Sequence, residues 1–154
     1  MKIAYSRTAL PKTIFLAGPT PRSKDVQSWR PQAVQILKDL AFDGTVYVPE
    51  DSDGSARFSY DDQIEWELQA LHSSTVIAFW IPRELNTMPA LTTNIEFGLF
   101  ARNRNIVLGA PPDAVKMKYL EGLATLYNIN GPHQTLESTM TAAIVLANRP
   151  FKTS

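Results

Sequence analysis

The sequence predicts an α/β protein built on a parallel, doubly wound sheet of five strands with helices on both faces. Three observations carry that prediction. Short runs rich in β-branched and aromatic residues alternate with helical stretches along the chain, the pattern of strands joined by crossover helices. Two of these runs, IFLA and VIAFWI, are apolar at every position, as strands buried on both faces are. Gly and Pro punctuate the joins, at Gly18-Pro19, Pro49 and Gly109-Ala110-Pro111-Pro112.

Taken in order, Lys12 to Ala17 (KTIFLA) is the first expected strand, ending in the tight loop Gly18-Pro19-Thr20-Pro21-Arg22. Ser28 is a candidate N-cap with Pro31 in the first helical turn, and Val34, Leu37, Leu40 and Ala41 recur at helical spacing up to Gly44. Thr45 to Val48 (TVYV) is the second expected strand. The polar, aperiodic stretch Glu50 to Tyr60 is a loop long enough to serve as a lid or binding loop. Asp61 or Asp62 can cap a helix to about His72, with Ile64, Leu68 and Leu71 on its inner face. Thr75 to Ile81 is the third strand, Pro82 to Thr92 a loop, and a helix carrying Glu96 runs to about Arg102. Asn105 to Leu108 (NIVL) is the fourth strand, Asp113 the expected cap of a helix over Val115 to Leu123, and Thr125 to Ile129 a short fifth strand. Leu136 to Ala147 is the final amphipathic helix. Right-handed crossovers favour a flavodoxin-like strand order. No internal repeat or linker interrupts the pattern, so residues 1–154 are expected to form one domain.

Composition narrows the function. Lys plus Arg equals Asp plus Glu at 15 each, which argues against a surface for nucleic acid polymers. A net charge of zero does nothing to oppose self-association. The chain has no cysteine, which excludes disulfides and thiol catalysis. His72 and His133 stand far apart without ligand spacing, so no metal site is expected. Neither GxxxxGK[ST] nor GxGxxG is present, and no cofactor is expected. MKIAYSRTALPK lacks a signal-peptide core, and no run reaches about 18 apolar residues. A cytoplasmic protein without membrane contact is expected.

The stretch that organises the chain is Pro89 to Phe100, PALTTNIEFGLF. Strand, loop and helix succeed one another there, the place where open α/β sheets put their sites. Thr93-x-x-Glu96 matches a capping box, and on the local pattern alone the cap is the better reading. The alternative is a carboxylate nucleophile at the sheet rim. Gly18 can admit a ligand close to the backbone, and Arg22, Arg30 and Arg57 offer donors to a phosphate or to hydroxyls. Glu65 and Glu67 are two apart on a helix and point different ways, so at most one faces the site. Trp29, Trp66 and Trp80 are more readily core than ligand platforms.

The blocks FLAGPTPR, SWR, VPE, WE, FWIPR and TTNIEFG, followed by a late G-x-P and YL, resemble the nucleoside 2-deoxyribosyltransferase-like family, in the branch with the AGPTPR start. The resemblance spans about residues 13 to 120. It implies a flavodoxin-like fold and a retaining double displacement, with Glu96 attacking the anomeric carbon of a deoxynucleoside. It places Glu67 where relatives carry an aspartate that contacts substrate and helps protonate the leaving base. It implies that Gly18, Thr20, Pro21 and Arg22 line the sugar and base pocket, that Glu50 and Asp51 read the base edge, and that Thr92, Thr93 and Asn94 lie beside the sugar. Relatives often have Asp or Ser six residues before the nucleophile, where this chain has Ala90; Thr92 or Thr93 can replace that contact. The implied partners are a nucleoside or nucleotide and a free nucleobase, in a homo-oligomer whose neighbouring subunits complete each pocket. Two other readings stand beside the transferase: an N-glycosidase acting on nucleosides or their 5′-monophosphates, and a non-catalytic nucleotide-binding module.

Overall fold

The computed structural model describes residues 1–4, 12–50, 59–102 and 105–149. Its strands are β1 (Lys2–Ala4), β2 (Thr13–Ala17), β3 (Thr45–Tyr47), β4 (Val76–Trp80), β5 (Ile106–Gly109) and β6 (Asn130–His133). Its helices are α1 (Arg30–Asp39), α2 (Tyr60–Ser73), α3 (Leu91–Phe100), α4 (Lys118–Leu126) and α5 (Leu136–Ala147). All strand pairs are parallel, in the order β1-β3-β2-β4-β5-β6. Counted from β2, this is the flavodoxin-like order, with β1 added outside β3.

The alternation of side chains along each strand divides the core in two. On β2, Ile14 and Leu16 join Ala33 and Leu37 of α1 and Met140 and Ala143 of α5. Phe15 and Ala17 face the opposite way, into a layer with Trp66 and Leu71 of α2, Phe97 of α3 and Leu120 of α4. Both layers are needed because β2 and β4 are buried at every position. All three tryptophans belong to this core.

The topology fixes where a ligand can sit. From β2 the chain crosses through α1 to β3 on one side, then through α2 to β4 on the other. The crossovers diverge between β2 and β4, and the crevice beyond the carboxyl ends of those strands is the binding position of such sheets.

Several expectations are corrected. The sheet has six strands, not five. β1 is a three-residue edge strand with a charged residue (KIA), too short to show a period. Residues 125 and 126 end α4, and the last strand is Asn130–His133 instead. Its sequence, NGPH, has no β propensity, and a proline is tolerated there because the strand lies at the sheet edge. Ser59, not an aspartate, caps α2, its hydroxyl accepting from the Asp62 N–H at 3.4 Å. Ile64 and Leu68 are exposed, because Trp66, Ala70 and Leu71 occupy the inner face of α2. Asp113 caps no helix; α4 begins five residues beyond it, at Lys118, with Met117 at its N-cap. The proposed lid falls largely on 51–58, outside the described residues.

Candidate active site

The loop after β2 is held by the first turn of α1. The Trp29 indole N–H donates to the Pro19 carbonyl at 3.0 Å. The Arg30 guanidinium donates to the Gly18 carbonyl at 2.7 Å and to Thr20 Oγ1 at 3.0 Å. Gly18 itself has φ +153°, and a Cβ there would lie 2.1 Å from the Trp80 carbonyl oxygen and 2.8 Å from the Trp29 ring. The glycine is therefore required by packing. The Arg22 N–H bonds the Thr87 carbonyl at 3.0 Å, tying this loop to the one that leads into α3.

The capping-box reading of Thr93 and Glu96 fails. Helix α3 starts at Leu91, with Ala90 at its N-cap in the left-handed region (φ 58°) and no side-chain cap. Thr93 is already inside the first turn, and Glu96 lies a further turn along. Position 96 is therefore too far from the helix start for the dipole to hold a carboxylate ionised, since that effect fades within the first turn.

Glu96 and Glu67 converge on one cavity of about 340 Å³, at the switch point of the sheet. The volume falls at the lower end of the range for small-molecule sites. Gly18, Thr20 and Arg22 from the loop after β2, and Thr92 and Thr93 from α3, also line it. Arg30, a candidate donor from the sequence, lines it too, whereas Gln63 and Ile64 of α2 and Pro49 after β3 were not singled out beforehand. Gln63 is one helical turn before Glu67, a spacing that the sequence did contain.

The other expected residues lie elsewhere. Glu65 points to solvent. Pro21 is half-buried but not in the cavity wall. Asn94 turns away and accepts from the Arg83 guanidinium. Glu50 is buried outside the wall, where it accepts from the Ser28 hydroxyl and pairs with Arg30 at 3.3 Å. It is thus committed to the protein rather than to a base edge. Asp51 and Arg57 are outside the described residues. Among the described residues no cluster is placed to hold a metal ion.

The two carboxyls differ in their surroundings. Glu67 accepts a hydrogen bond from the Gln63 amide at 2.8 Å. Burial raises its pKa, while Gln63 and the charge of Arg30 oppose the rise. Glu96 is half-buried, and among the described residues no donor reaches it. Burial pushes its carboxyl up to about 7, the negative Glu67 adds to the push, and Arg30 pulls the other way. The two carboxyls are thus electrostatically linked, the charge of Glu67 raising the proton affinity of Glu96.

A family model described as nucleoside 2-deoxyribosyltransferase like matches residues 11–114. The chain belongs to that family. The matched segment contains every residue of the cavity wall, from Phe15 to Glu96. Membership in the nucleoside 2-deoxyribosyltransferase-like family supports glycosyl-transfer or glycosidase-type chemistry, with nucleosides and nucleobases as the implied substrates. No curated protein matches the chain.

Proposed function

We propose that the protein is a nucleoside 2-deoxyribosyltransferase that holds the sugar as an ester on Glu96 and passes it to a second base. The observation that carries this reading is the condition of Glu96: a shielded carboxyl with no hydrogen-bond donor among the described residues, lining a cavity beside a second carboxyl. An unpartnered shielded carboxylate costs stability, and such groups cluster where chemistry uses them.

In the first half-reaction a Glu96 oxygen bonds C1′ and the bond from C1′ to the base nitrogen breaks. The bonding pair leaves with the base, which takes the proton held by Glu67. The working state has the charge on Glu96 and the proton on Glu67. In the free protein Glu96 has the high proton affinity, and positive charge developing at C1′ draws the negative charge to it. In the second half-reaction the incoming base nitrogen attacks C1′ while its proton passes to the Glu67 carboxylate, and Glu96 leaves as carboxylate. Splitting the substitution in two lowers each barrier. Thr20, Arg22, Thr92 and Thr93 offer donors to the sugar hydroxyls and the base.

The test is incubation with a deoxynucleoside and a different free base. New nucleoside supports the transferase, and acid quenching should leave a deoxyribosyl adduct on the Glu96 peptide by mass spectrometry. Free sugar without new nucleoside replaces it with an N-glycosidase. Tight nucleotide binding without turnover or adduct replaces it with a binding module.

We also read the protein as a homo-oligomer. Leu91, Ile95 and Leu99 form a stripe along one face of α3, exposed at 65%, 64% and 60%. Ile64 and Leu68 are exposed on α2, and Ile64 and Leu91 also line the cavity, so the apolar face reaches the mouth of the site. A face of this kind is the mark of an association surface. Ile95→Glu should shift the protein to monomer in sedimentation; a wild-type monomer at high concentration would sink this part of the reading.

A further inference from the structure

Two sequence blocks, Ser28–Arg30 and Val48–Glu50, take no part in the chemistry above, and the structure joins them. Arg30 is 2% exposed and opens α1 at the cavity wall. Its Nε donates to the Leu16 carbonyl at 3.1 Å, Nη1 to Thr20 Oγ1 and Glu50, and Nη2 to the Gly18 carbonyl. Glu50 accepts from the Ser28 hydroxyl, and the Ser28 oxygen accepts the Arg30 backbone N–H at 3.2 Å. The result is a closed ring of hydrogen bonds around a buried ion pair. Such a pair is poor evidence of stabilisation, since apolar replacements are often neutral or better. Its position offers another use: Arg30 reaches the cavity that Glu67 and Glu96 line, and Glu50 stands behind it.

We propose that Arg30 and Glu50 are a positioning pair for the two working carboxyls. Glu50 anchors the guanidinium at the cavity wall, and Arg30 supplies the positive charge under which one of Glu67 and Glu96 stays ionised while the other holds the proton. This rests on the reading of those two carboxyls as the reacting groups. Among the described residues, the charged groups around them are Arg30 on α1, Glu67 on α2, Glu96 on α3, Arg22 on the loop after β2, and Glu50 after β3. Burial drives both carboxyls toward the neutral form, and of these groups Arg30 opposes it on both.

The experiment compares wild type, Glu50→Gln and the double variant Arg30→Met/Glu50→Gln. The double variant removes both members of the buried ion pair, so it avoids the stranded Glu50 charge that Arg30→Met alone leaves. Carbon-13 NMR of labelled glutamate carboxyls, assigned with Glu96→Gln, gives the Glu96 titration midpoint without requiring turnover. The acid limb of kcat/KM is the second readout. In the double variant the midpoint and the limb should rise together by roughly one pH unit, the scale of a neighbouring opposite charge. In Glu50→Gln, where the cation remains, neither should rise. A folded double variant with an unmoved midpoint would overturn the proposal. So would an equal rise in Glu50→Gln, because the effect would then follow the ring geometry and not the charge. Absence of base exchange in wild type counts against the transferase alone, since the midpoints still report on the pair.

Discussion

Glu50 and Glu96 stand at the same edge of the sheet, on the chain after β3 and on the helix after β4, and both are shielded from water. Their surroundings are opposite. Glu50 has a guanidinium and a hydroxyl on its oxygens. Glu96 has no donor among the described residues, and its proton affinity climbs to about 7. The first carboxylate is complete in the folded protein. The second has no such partner among the described residues. A carboxylate that braces a loop and one free to meet a substrate are told apart by this inventory of donors.

The contrast is broken most severely by deleting the waiting group. Glu96→Ala should lower base exchange by about a thousandfold or more, as losses of covalent nucleophiles do, while circular dichroism and melting stay native-like. Full turnover in that variant would remove Glu96 from the chemistry. Deleting the partner of the braced group should act in the other sense. Arg30→Met strands Glu50 in the interior and should cost about 3–5 kcal/mol in urea unfolding, the usual penalty for half of a buried pair. If Arg30→Met melted like wild type, Glu50 would have to be far better hydrated than the structure shows.

The third test alters the neighbour of the waiting group. Glu67→Gln cannot donate an acidic proton to the leaving base, so kcat should fall roughly a hundredfold. It also removes a negative charge that raises Glu96, so the Glu96 titration midpoint, read by carbon-13 NMR, should move to lower pH. Loss of rate with an unmoved midpoint would show that the two carboxyls are not coupled.

The sequence made one side of this contrast legible and hid the other. The buried strands and α5 could be read from unbroken apolar runs and helical spacing, because burial on both faces leaves no other pattern. β1 and β6 could not, being edge strands that carry no period. The placement of Glu96 after the β4 loop was legible as strand, loop and helix. Its exact turn was not: Thr93-x-x-Glu96 imitates a cap, and only the left-handed Ala90 shows that α3 starts earlier. Glu50 was misplaced for a related reason. Its partner Arg30 is 20 residues away on another element, and no local spacing announces a pair brought together by the crossover of α1. Gln63, by contrast, was within reach, one turn from Glu67 on the same helix.

The smallest effect is also the most direct test of the contrast, because it needs no substrate. Glu96 titrates near 7 in the folded protein, against an ordinary value of 4.5. The folded state therefore binds the proton more tightly than the unfolded state between those values. Stability associated with this group is fully present below about pH 4.5 and is lost as pH rises toward 7. Glu96→Gln keeps the shape and has no charge to bury. Its advantage over wild type should be absent near pH 4, grow through that window, and level off above pH 7 at about 2 kcal/mol, allowing for the half-exposed position. Urea unfolding of the two proteins at several pH values measures it. If Glu96→Gln were no more stable than wild type at pH 8, the two carboxylates would be alike after all, and the claim that one of them is held in readiness would be lost.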